Sequence, residues 1–169
     1  MAARGGRAVG LLVMAAILAV GGCEGDSRTA VGVSSEQAAV VKEVARDYQQ
    51  ASVDQDYEAA CEARTKRLLR SWDADTIAEC VEITSAPRVG DYRDARVSTG
   101  EPIKLPAFGP HPSGIGLRVT VRSTLGGLVK HTALRLVPGE RDGWLADQAA
   151  NLVDETDTGA VQAALEGRL

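Results

Sequence analysis

Histidine is scarce in this 169-residue chain. His111 and His131 are the only two, and they do not stand at metal-ligand spacing. A calcium loop of alternating Asp and Asn is also missing. Asp54, Asp56 and Glu58 do alternate acids, but helix capping accounts for the first two. No Gly-x-Ser-x-Gly turn presents a nucleophile, and no glycine-rich loop opens a helix to hold a phosphate. Gly114-Ile115-Gly116 instead opens a strand. Basic charge is in deficit as well: 19 Lys and Arg stand against 23 Asp and Glu, for a formal charge of −4. An acidic chain gains nothing from a phosphate backbone or an anionic bilayer, so no nucleic-acid partner is expected. These absences predict no metal, no cofactor and no catalytic residue set.

The chain begins with two arginines, Arg4 and Arg7, and an apolar run from Val9 to Val20. That is the pattern of an export signal, too short to span a bilayer comfortably. Two small residues, Gly21 and Gly22, then precede Cys23. Val20-Gly21-Gly22-Cys23 resembles the lipobox of bacterial lipoproteins, in which the cysteine receives a thioether-linked diacylglycerol before cleavage on its N-terminal side. The resemblance implies residues 1–22 as a signal peptide, Cys23 as the lipidation site, and a location on the outer face of the cell membrane. Lipid rather than basic charge would hold the protein there. Residues 23–34 are polar and rich in Gly, Ser, Asp and Thr. They read as a tether with a reach of roughly 15–20 Å.

Only two other cysteines exist, Cys61 and Cys80. Outside the cytoplasm an even pair predicts a disulfide, closing a loop of about 20 residues worth roughly 3 kcal/mol. Two buried free thiols are the alternative.

Residues 35–150 read as one folded domain. Ser34 and Gln37 have capping-box spacing, and Val41, Val44, Ala45 and Tyr48 follow at helical period, predicting a helix over 35–52. Asp54 or Asp56 can cap a second helix with Tyr57, Ala60, Cys61, Arg64 and Leu68 as its stripe. Arg64, Lys66, Arg67 and Arg70 then form a basic run at its C-terminal end, where cations favour the helix dipole. Ser71 or Asp73 can cap a third helix, which presents Ile77, Cys80, Val81 and Thr84 and stops at Pro87.

Beyond Pro87 the period changes to two. Ala95 and Val97 alternate with polar residues. Ile115, Leu117, Val119 and Val121 do the same, as in a half-buried strand. Gly126-Gly127 marks a hairpin into a strand over about 128–137, with Leu134 and Leu136 on one face and Arg135 on the other. A second turn, Pro138 to Gly143, leads to a strand from Trp144 to Gln148. Residues 100–114 read as a long loop with a short strand at 103–105. The acidic tail 151–169 has a short helical pattern at Val161, Ala164 and Leu165 that would be either docked or disordered. Helices followed by strands predict an α+β layer: three N-terminal helices on an antiparallel sheet of about four strands.

Asp54-Gln55-Asp56-Tyr57-Glu58-Ala59-Ala60-Cys61, Ala78-Glu79-Cys80, and His131 to Leu136 followed by Asp142-Gly143-Trp144 carry a further likeness. Over about 35–150 the chain resembles small actinobacterial lipoproteins of the nuclear-transport-factor-2-like superfamily. The resemblance implies a cone-shaped cavity between a long helix and a curved sheet. It does not fix a function, since the superfamily holds isomerases, dehydratases, transport factors and silent domains. The period-two rule places Leu117, Val119, Val121, Leu134, Leu136 and Trp144 on the cavity wall, with Val44 and Tyr48 from the first helix.

Three uses of such a domain remain open. It can bind a small apolar ligand or an envelope protein without catalysis. It can act as an isomerase or dehydratase, where Tyr48, Tyr57, His131 and Asp147 would be the residues to consider. It can dock a structural partner on the outer sheet face. Aromatic packing accounts for Tyr48 and Tyr57, and a sheet-surface position for His131. Asp147 alternates with Trp144, Ala146 and Gln148, so it would face away from a cavity that Trp144 lines. The reading favoured is a membrane-anchored, non-catalytic binding or accessory domain.

Overall fold

A computed structural model describes residues 32–86, 94–123, 127–140, 143–153 and 158–168. The signal segment, Cys23 and most of the tether lie outside the described residues, as do Pro87 and Gly126.

The first helix, α1, runs Ser35–Val53. Ser34 sits in extended backbone and its Oγ accepts the Gln37 N–H at 3.2 Å, which satisfies one of the free donors of the first turn. Val41, Ala45 and Tyr48 form its buried stripe. The helix closes with Gln55 in the left-handed region, at φ 64°, and the Asp56 N–H returns to the Ala51 carbonyl at 2.8 Å.

The expected second helix is two. α2 spans Tyr57–Glu62 and α3 spans Lys66–Arg70. Between them the backbone leaves the helix to bond a strand. The Ala146 N–H donates to the Ala63 carbonyl at 2.9 Å, and the Thr65 N–H donates to the Ala146 carbonyl at 2.8 Å. Thr65 then caps α3 by accepting from the Leu68 N–H. The next helix, α4, is Ile77–Ser85, and its cap is Thr76 rather than Ser71 or Asp73. The reason is the partner three residues on: the Glu79 carboxylate reaches back to the Thr76 N–H while the Thr76 hydroxyl accepts from the Glu79 N–H.

Five strands follow: β1 Arg96–Thr99, β2 Ile103–Leu105, β3 Gly114–Arg122, β4 Val129–Pro138 and β5 Trp144–Leu152. All pair antiparallel in one open sheet of order β1-β3-β4-β5. β2 joins the same edge of β3 as β1, against Gly114 to Gly116, so the edge strand is one interrupted ribbon. Gly116 lies under Leu105, whose Cδ1 would stand 2.7 Å from an added Cβ.

β3 is not half-buried, because both faces of the sheet are covered. On one face Leu117, Val119, Leu134, Leu136 and Ala146 pack with Val41, Ala45, Tyr48 and Leu68. On the other, Ala133 and Leu152 meet Leu105 and a final helix, α5, Thr158–Leu165. With α1 on one face and α5 docked through Val161, Ala164 and Leu165 on the other, six successive residues of β4, Thr132 to Val137, are buried. The architecture is therefore α+β with an open five-stranded antiparallel sheet between helices. No helix among the described residues is long and apolar enough to cross a membrane.

Candidate functional site

The break between α2 and α3 delivers Arg64 to the interior. Its backbone is fixed against β5 on both sides, and only 6% of the residue is exposed. The guanidinium carbon lies 4.6 Å from the centroid of the Trp72 ring and 5.7 Å from that of Tyr48. Aromatic faces attract a cation at this range, more strongly when water is excluded. Nη1 donates to Cys80 Sγ at 3.3 Å, whereas Nε is buried with no acceptor. No carboxylate pairs with Arg64 among the described residues. A buried guanidinium without an anion is costly, and native interiors seldom leave one so.

This cation lines a cleft of about 250 Å³ between α1, the α2–α4 region and the exposed ends of β4 and β5. Tyr48, Tyr57 and Trp72 provide aromatic surface; Lys130 and Thr132 add polar groups from β4; Leu134 and Ala149 form part of the floor. No Asp or Glu is among the lining residues that the structure describes.

Cys61 and Cys80 hold the wall together. Their Cα atoms are 6.0 Å apart and their sulfurs are at disulfide distance, joining α2 to α4. Leu69 and Ala74 bury the pair. The cross-link therefore positions the sulfur that accepts from Arg64.

Of the residues expected on a cavity wall, Tyr48 and Leu134 line the cleft. Leu117, Val119 and Leu136 are fully buried in the filled core behind it, and Val44 and Trp144 pack against that core while partly exposed. Val121 belongs to a separate cluster with Val53 and Ala95. His131 shares a hydrogen bond with the Thr120 hydroxyl at 2.9 Å and lies outside the cleft.

Asp147 occupies a different kind of place. Arg135 pairs with Gln148 and Leu136 with Ala146, so Asp147 is the extra residue of a β-bulge. The bulge reverses the alternation beyond it. Ala149 rather than Gln148 joins the side of Ala146, and Gln148 turns to Arg135 and to the Leu165 carbonyl of α5. The Asp147 carboxylate is 1% exposed and accepts from Thr65 Oγ1 at 2.9 Å and Arg67 Nη1 at 2.6 Å, with His111 Nδ1 at 2.8 Å. Burial pushes its pKa up. The hydrogen bonds from His111, Arg67 and Thr65, with the charge of Arg67, outweigh that and hold it below the ordinary carboxylate value.

Arg135 is wholly buried beside this node. Its Nη1 donates to the carbonyls of Pro106 and Pro112, each at 2.9 Å, and so closes the loop between β2 and β3. Burial lowers its pKa, opposed by the charges of Asp147 and Glu166. Three donors already occupy Asp147, which suits it to clamping the α2–α3 junction, the His111 loop and β5 together. No group of three His, Cys, Asp or Glu side chains that could hold a metal occurs among the described residues.

Sequence reasoning missed Arg64 as a site residue although the signal was present: one arginine stood in an otherwise apolar helical stripe. Trp72, Lys130 and Thr132 left no such trace. No family model, curated protein or solved structure matches this chain.

Proposed function

We propose that this chain is a lipid-anchored extracytoplasmic protein whose domain, of nuclear-transport-factor-2-like type, binds a small ligand without transforming it. The carrying observation is the cleft itself: about 250 Å³, walled by Tyr48, Tyr57 and Trp72 and holding the guanidinium of Arg64, which no carboxylate among the described residues pairs. A few placed polar groups in a concave, partly aromatic site are the usual constitution of a ligand pocket. The polar residues on the wall argue for a ligand with a charged or polar group rather than a purely apolar one. Anchoring is supported by the signal pattern and by Gly21-Gly22-Cys23. The isomerase-like reading draws no support from the cleft, since no acid or histidine among the described residues lines it.

The test is purification of the full chain from membranes in detergent, followed by mass spectrometry under native and denaturing conditions. The expected result is a small molecule released on denaturation and a diacylglyceryl mass on the N-terminal cysteine. An unliganded protein with no small-molecule binding in a metabolite screen would turn the reading towards partner docking.

A further inference from the structure

We propose that the cleft takes a small organic carboxylate with an apolar body, its carboxyl group seated on Arg64. This rests on the ligand-binding reading above and names the class of ligand.

Three observations converge. Arg64 is more than nine-tenths buried and lines the cleft, and Nε has no acceptor while Nη1 is engaged by Cys80 Sγ. Nε lies beneath the surface, so a ligand oxygen would meet the remaining part of the guanidinium, where a charge-assisted hydrogen bond suits a carboxylate. Second, the cleft is positive inside an acidic molecule. Arg64 lines it, no Asp or Glu among the described residues does, and the chain as a whole carries −4. The local sign therefore belongs to the site and not to the protein. Third, Tyr48, Tyr57, Trp72 and Leu134 offer surface to a hydrocarbon or ring, among polar neighbours such as Gln49, Ser52 and Asn151. A compact phosphate would leave that surface unused. A carboxylate on an apolar body uses both.

The geometry is preorganised. The Arg64 backbone is pinned by the two hydrogen bonds joining Ala63 and Thr65 to Ala146, and its head is packed against the Trp72 ring. Little ordering remains to be done when the anion arrives.

Calorimetric titration of the full chain in detergent with benzoate, benzamide and inorganic phosphate separates the outcomes. Benzoate and benzamide share shape and ring but differ in charge. Benzoate is expected to bind at least about tenfold more tightly than benzamide, the usual worth of a charge-assisted contact. Arg64→Lys keeps the charge but loses the planar head held by Trp72 and Cys80, and it should cut that preference to about threefold or less. Equal binding of benzoate and benzamide, or tighter binding of phosphate than of benzoate, overturns the carboxylate assignment while leaving the cleft a ligand site. Binding of none of the three also overturns it for these probes, and the general reading then fails only if no small molecule co-purifies. The acid-amide comparison uses the unaltered chain, so it decides the matter even if Arg64→Lys does not fold.

Discussion

His111 and Asp147 are 36 residues apart in sequence and 2.8 Å apart in space. Their contact closes the loop after β2 onto the β5 bulge, and Thr65 and Arg67 add the start of α3 to the same carboxylate. One acid thus ties three segments that are distant in sequence.

That clamp gives stability a defined pH dependence. The pKa of Asp147 is lower in the folded chain than in the unfolded one. Its contribution is therefore complete above the unfolded value and is lost as pH falls through the folded value. Wild type should lose stability on acidification below about pH 4. Asp147→Asn should be less stable by about 1–3 kcal/mol at neutral pH, and should lose less on the same acidification. Urea denaturation between about pH 7 and pH 3 checks this. Parallel profiles for the two proteins would place the acid sensitivity elsewhere.

Docking of α5 makes a second prediction. Leu165 is fully buried against a sheet face whose other members include Ala133 and Leu105. Leu165→Ala should lower stability by about 2–5 kcal/mol, the range for truncating a well-packed leucine. An unchanged thermal midpoint would mean that the helix is detached in solution.

The features legible in the sequence were those that local chemistry determines. Ser34 announces α1, the alternation around Leu117 and Leu134 announces their strands, and the parity of Cys61 and Cys80 announces the pair. What escaped depended on contacts between distant segments. Residues 57–70 have an unbroken helical stripe, and only Ala146, far along the chain, pulls the backbone out of the helix at Arg64. Period-two reasoning carried Trp144 and Ala146 correctly to one side, but failed past Asp147, since a bulge shifts parity and leaves no mark in alternation. The half-buried reading of β3 failed because α5 was too short a pattern to announce that it would cover the second face. The candidate site was accessible only through Arg64, whose place in the stripe argued for burial while its basic neighbours argued for solvent.

Anchoring is tested by Cys23→Ala. The wild-type chain should carry a lipid mass on an N-terminus that begins at Cys23, and the variant should be neither modified nor processed by the lipoprotein pathway. Two acyl chains give stable membrane attachment where one is marginal, so the variant should also leave the membrane fraction if it is released at all. An unlipidated wild-type N-terminus at another residue would sink the assignment.

The Cys61–Cys80 pair couples stability to the cleft. It closes a sequence separation of 19 residues, for which cross-linking is worth about 3 kcal/mol on the chain-entropy account. Non-reducing peptide mapping should yield one cross-linked pair, and reduction should lower the unfolding midpoint accordingly. A second effect is specific to this structure. Cys80 Sγ accepts from Arg64, and the Arg64 guanidinium lies on Trp72. Releasing the sulfur from its partner loosens the support of that cation, so the environment of Trp72 should change before the domain unfolds. The chain has two tryptophans, and Trp144→Phe leaves Trp72 as the only reporter. Reduction of that variant under native conditions should shift or quench its emission while far-ultraviolet circular dichroism stays unchanged. Two alkylatable thiols in the untreated protein, or a Trp72 signal indifferent to reduction, would break the link between the disulfide and the cleft.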